Sequence, residues 1–141
     1  MTYLLDTHTL IWFLRIPASL PARVRSLIED RATTLAVSLA TPWEISIKTS
    51  AGGLDAADIL NDVESILSRG RLNLLTPTLA QVVHSGSLPW YHRDPFDRLI
   101  ASQAIVLGWS LLSKGYDLRR LRRPARLGLK QTAPHKPGTA Q

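Results

Sequence analysis

Three acids stand where chemistry can be done: Asp6, Glu44 and Asp97. Asp6 directly follows the apolar run Tyr3-Leu4-Leu5 and precedes a polar cluster, Thr7-His8-Thr9. Glu44 falls one turn into a predicted helix after a second apolar run, and Asp97 one turn into the predicted helix before a fourth, which ends at Ser113. In an open parallel sheet, ligands bind outside the carboxyl ends of the strands. Acids from distant stretches of the chain can therefore converge at one edge. Hard carboxylate oxygens of this kind suit Mg2+ or Mn2+. Such an ion can activate water and stabilise an in-line displacement at a phosphodiester.

Each acid also has a plain helix-capping reading. Glu44 three residues after Thr41 fits a capping box. Asp97, three after Asp94, is a favourable first-turn acid beside a positive helix end. Asp6 can cap the helix that follows it. The metal reading rests on the conjunction of the three, with Asp6 placed directly where a site belongs.

The apolar pattern supplies the elements that must hold these acids. Tyr3 to Leu5 reads as a short buried strand, followed by a helix from Thr7 to Leu14 that Pro17 ends. A helix over Pro21 to Asp30 puts Val24, Leu27 and Ile28 on one face. Thr34 to Ser38 is a second strand. The helix from Thr41 to Thr49 takes Thr41 as N-cap and Pro42 in its first turn, and Gly52 and Gly53 end it. Asp55 opens a helix with Ile59, Leu60, Val63, Ile66 and Leu67 in one stripe, stopped by Gly70. Leu72 to Leu75 is a third strand, and Thr76 or Thr78 caps a short helix through His84. A loop over 85–93 leads to Asp94-Pro95-Phe96-Asp97, which opens a helix carrying Leu99, Ile100, Gln103, Ala104 and Leu107. Gly108 closes it, and Trp109 to Leu112 is a fourth strand. Strands alternating with helices predict a parallel sheet covered on both faces.

Composition narrows the function classes. The chain has 141 residues, 45% hydrophobic and 20% charged, which fits one globular domain. The absence of cysteine excludes a disulfide scaffold, a thiolate metal site and a cysteine nucleophile. Asp6 and His8 interrupt the amino-terminal apolar stretch, which argues against a secretory signal. The stretch from Leu99 to Leu112 is too short to span a bilayer. The expectation is a soluble, cytoplasmic protein. The net charge of +6 is not spread evenly: 114–141 carry eight Lys or Arg against one acid, and 1–113 carry nine against ten. Such a basic end can attract nucleic acid or an anionic surface, or can be a solvated tail.

The segments LLDTHTLIWFL (4–14), TPWEISIK (41–48) and HRDPFDRLIASQA (92–104) resemble the PIN-domain ribonucleases, and more narrowly the VapC-like toxins of bacterial toxin–antitoxin pairs. The order and spacing of the three segments match as well. The resemblance implies an α/β/α sandwich with a central parallel sheet of four to five strands. It implies a Mg2+- or Mn2+-dependent endoribonuclease, a homodimer, and a cognate VapB-like antitoxin that buries part of itself in the acidic site. The family's first acid falls on Asp6, its second on Glu44 and its third on Asp97, as catalytic and metal-holding residues. Asp94 is a neighbouring acid in an outer-shell position. The dimer surface is expected on the helices between 21 and 70.

The sequence departs from the family pattern at its end. A fourth acid is expected two residues after Ser113, and Gly115 stands there, with Asp117 two residues further on. Beyond 118 the chain turns Arg-rich, then rich in Pro and Gly. The expected organisation is a nuclease domain over 1–118 and a basic tail over 119–141. The missing acid keeps a rival reading open, a catalytically weakened or inactive PIN-like module that binds RNA or an antitoxin.

Other chemistries fit less well. An aspartyl-phosphatase loop needs a second Asp where His8 stands. His8, His84, His92 and His135 lack the two-His helical spacing of a zinc protease. No Gly-rich phosphate loop occurs. Trp43, Trp90 and Tyr91 can stack on bases, although Trp43 lies in an apolar helix pattern that predicts core packing.

Overall fold

The computed structural model describes residues 2–52, 57–88 and 94–113. Four strands, β1 (Thr2–Leu5), β2 (Thr34–Ser38), β3 (Asn73–Leu75) and β4 (Ser110–Leu112), lie parallel in the order β3-β2-β1-β4. The helices among the described residues are α1 (Thr7–Arg15), α2 (Ala22–Glu29), α3 (Ala40–Ser50), α4 (Ala57–Ser68), α5 (Leu79–Ser85) and α6 (Pro95–Leu107), with a 3-10 turn at Pro17–Ser19. The expectations for Gly53, Asp55, the loop from Pro89 to Arg93, Gly115, Asp117 and the basic tail lie outside the described residues.

Side chains alternate across the strands, so each strand feeds two cores. Leu5, Leu35, Val37 and Leu112 pack with Leu10, Ile28, Ile45, Ile59 and Val63 on one face. Leu4 and Ala36 pack with Ala40, Ile100 and Ala104 on the other, joined by Phe96, Leu99 and Leu111. The result is the α/β/α arrangement expected, with four parallel strands among the described residues.

The winding β1-β2-β3 runs one way from β1, and β4 lies on its other side. The strand order therefore reverses at β1, whose carboxyl end is where a ligand crevice forms. The backbone of Asp6 sits at that point, its N–H donating to the Leu112 carbonyl at 3.1 Å.

Two local expectations are corrected. The helix carrying Glu44 starts at Ala40 with Leu39 as N-cap, and no side chain caps it. β2 runs almost directly into α3, and the Ser38 hydroxyl takes the Ala40 N–H at 3.0 Å instead. Thr41 is buried and pairs its hydroxyl with that of Thr7 at 3.2 Å, so the Thr41–Glu44 capping box does not form. A capping box does form at Thr78 and Gln81, at the start of α5. Trp43 is 57% exposed rather than in the core. Ala40, Thr41, Glu44 and Ile45 fill the inward face of α3, which turns Trp43 outward into a T-shaped contact with the Phe96 ring, 4.9 Å between centroids.

Candidate active site

The amino-terminal turns of α3 and α6 carry the acids. A helix packed on a parallel sheet runs antiparallel to the strands, so helices start at the carboxyl edge. Asp94 is the N-cap of α6, its Oδ1 accepting from the N–H groups of Phe96 at 2.8 Å and Asp97 at 3.3 Å, and Pro95 follows at the first helical position. Asp94 and Asp97, three apart, then share one face of the first turn. At the far end of α6, Gly108 adopts a left-handed φ of 68° as C-cap, which turns the chain into β4. Buried Arg98 fixes the approach to α6, donating to the carbonyls of Ser85 at 2.9 Å and Leu88 at 2.7 Å.

One carboxylate oxygen from each of Glu44, Asp94 and Asp97 lies within 4.8 Å of the other two. Glu44 is 1% exposed. Its Oε2 accepts a hydrogen bond from Lys48, one turn along α3, while its Oε1 has no hydrogen-bond partner. Lys48 also lies 3.9 Å from Asp94. Asp6 keeps a capping bond, its Oδ1 accepting from the Thr9 N–H at 2.7 Å. It stands outside the three-oxygen cluster yet close enough for its charge to act on Asp97.

The site carries more negative charge than its own side chains neutralise. Burial pushes the Asp97 carboxyl above the usual carboxylate range, and the charges of Asp94, Glu44 and Asp6 push it further, with His8 opposing. The Lys48 ammonium is held above its ordinary range, chiefly by the Glu44 hydrogen bond, with Asp94 and Asp97 adding and burial opposing. A buried carboxylate oxygen without a partner is costly. A hard divalent cation among these three carboxylates would satisfy it, so the residues present fit such an ion.

The structure thus brings Glu44 and Asp97 together and leaves Asp6 at the rim of the same edge. It adds two residues that the sequence reading did not place in the cluster. Asp94 joins it directly instead of standing behind it. Lys48 was missed altogether, although the Glu44–Lys48 spacing of four on one helix was a readable signal for an ion pair.

The PIN domain family matches residues 3–124. Ribonuclease VapC22 of Mycobacterium tuberculosis is 32% identical over 126 residues, covering 87% of this chain and 94% of its own length. In fold, the chain is similar to VapBC2 from Rickettsia felis, solved with a DNA fragment from its promoter, at a TM-score of 0.59 and 20% identity, covering 85% of this chain and 92% of that one. VapBC-1 from nontypeable Haemophilus influenzae gives a TM-score of 0.54 and 24% identity, covering 80% and 86%. With a family match along most of its length and a relative of this identity over nearly all of that relative's length, the chain belongs to the PIN-domain family.

Proposed function

We propose that this chain is an endoribonuclease dependent on Mg2+ or Mn2+, the toxin of a toxin–antitoxin pair. The observation that carries the reading is buried Glu44, with one oxygen unpartnered, inside a cluster of three carboxylates at the carboxyl edge of the sheet. The ribonuclease named among its relatives supports RNA as the substrate. Glu44, Asp94 and Asp97 would hold the ion, and Asp6 would complete the acidic edge. A divalent ion there supplies Lewis-acid polarisation of the phosphodiester and lowers the pKa of water toward neutrality. The protein's part is placement. Burial fixes Glu44, the first turn of α6 fixes Asp97, and the excess negative charge draws a cation in. No side-chain nucleophile is needed. The test is total RNA incubated with the purified protein and Mn2+, with cut ends mapped. New ends that vanish in excess chelator are expected, and cleavage that persists there would defeat the metal reading. Gly115 favours the weakened-module alternative, for which RNA binding without any new ends would speak.

Asp94 offers a way to separate capping from metal holding. Asparagine caps helices about as well as aspartate, whereas alanine forfeits roughly 1 kcal/mol. Asp94→Asn should therefore melt within a degree or two of wild type (about 2–8 °C per kcal/mol) yet bind Mn2+ more weakly. Asp94→Ala should lose both. Unchanged Mn2+ affinity in Asp94→Asn, read by calorimetry, would remove Asp94 from the ligand set.

The partners proposed are a VapB-like antitoxin and a second copy of this chain. Both structural relatives are VapBC complexes. Exposed apolar side chains support a protein partner: Leu39, Trp43 and Ile47 recur every fourth residue from the N-cap of α3 onward, and Leu79, Val82 and Val83 crowd α5. No described helix is long and apolar enough to cross a membrane. Light scattering should return the mass of a dimer, and a monomer at high concentration would remove that part. Cleavage should stop when a small protein encoded beside this one is added, and undiminished cleavage would remove the antitoxin.

A further inference from the structure

We propose that Lys48 is the metal site's own resident counter-ion, occupying the gap between Glu44 and Asp94 until a divalent ion displaces it, and so setting the metal affinity. The inference rests on the metal reading above. Its geometry is direct. The Lys48 ammonium bonds Glu44 Oε2 and stands 3.9 Å from Asp94 Oδ2, and both acids belong to the three-oxygen cluster. A cation already sits against two of the three groups that would hold the metal.

Mobility is unequally shared between the partners. Glu44 is 1% exposed, with its side chain fixed in the protein interior, whereas the Lys48 side chain is 44% exposed on a flexible four-carbon stem. The ammonium can swing into water and the carboxylate cannot follow. The charge balance points the same way. One ammonium cannot neutralise three clustered carboxylates, and it leaves Glu44 Oε1 unpartnered. A divalent ion does more of both, but a dication and an ammonium a few ångströms apart repel strongly where water is scarce. Binding the ion is therefore an exchange: the metal enters, Lys48 leaves, and the work of displacing Lys48 is subtracted from the affinity. In the metal-free protein, the same ammonium holds repelling acids on α3 and α6 together.

The experiment measures the Mn2+ dissociation constant by calorimetry, and the melting temperature with and without Mn2+, for wild type, Lys48→Met and Lys48→Gln. Both variants remove the charge and keep a side chain of similar reach, and the glutamine amide can still donate to Glu44. We expect each variant to bind Mn2+ roughly tenfold more tightly than wild type. Each should melt lower than wild type without metal, with the gap closing as Mn2+ saturates. A simple surface ion pair would lower the metal-free melting temperature and leave the dissociation constant alone, and that result overturns the inference. Weaker binding in both variants overturns it as well. If wild type binds Mn2+ and the variants match it, only the role of Lys48 falls. If none of the three binds Mn2+ at millimolar concentration, the metal reading itself falls and takes the inference with it.

Discussion

Asp97→Asn should abolish RNA cleavage, by more than about 100-fold, while leaving a folded protein. The magnitude is a lower bound, because altering residues that merely orient metal ligands already costs about 10- to 100-fold. The sign of the stability change separates this outcome from simple unfolding. Burial and the neighbouring charges of Asp94, Glu44 and Asp6 raise the Asp97 carboxyl above its ordinary range. A carboxyl with a raised folded pKa contributes stability below its unfolded pKa and loses it as pH rises through the folded value. At neutral pH its ionised form therefore works against the fold. Asparagine keeps the shape and removes the charge. In chelator, the variant should melt at or above the wild-type temperature while cleaving nothing. Cleavage within threefold of wild type (under about 1 kcal/mol of barrier) would exclude Asp97 from the site. A variant that melts well below wild type would show that its charge holds the fold together.

The second large effect is on stability. Leu5→Ala should cost about 2–5 kcal/mol, the range for emptying a well-packed leucine site. Leu5 is fully buried in the central strand, paired in register with Val37 on one side and Leu112 on the other, directly before Asp6. Domains of this kind hold only about 5–15 kcal/mol in total, so the variant should melt roughly 5–20 °C below wild type (about 3–4 °C per kcal/mol at this chain length). Leu74→Ala is the matched control, since Leu74 is half-exposed on edge strand β3 and its truncation should cost under about 1 kcal/mol. Urea unfolding of the two variants decides the matter. A Leu5→Ala cost no larger than that of Leu74→Ala would mean that the sheet centre is not the core described above.

The local chemistry of the chain determined much of this protein. Short continuous apolar runs placed β2 at Thr34–Ser38, a period-three-to-four stripe set the inward face of α4 with Ile59 and Val63, and Gly108 ended α6. These features follow from backbone geometry and from side chains a few residues apart, so they are written in short stretches of sequence. Asp94-Pro95 likewise announced the start of α6, because a cap and a proline at the first helical position act within a single turn. Tertiary structure decided what depends on elements meeting across the sheet. The Thr41–Glu44 spacing fits a cap, but α3 takes its N-cap at Leu39, two residues earlier, and Thr41 pairs with Thr7 instead. Trp43 belongs to an apolar pattern, yet which face of α3 turns inward was fixed by the sheet beneath it and by Phe96 beside it. The meeting of Glu44 with Asp94 and Asp97, and the ammonium of Lys48 between them, depends on α3 and α6 starting at the same edge. Sequence spacing gives the face a residue occupies on its own helix, and only packing brings two such faces within the reach of one cation.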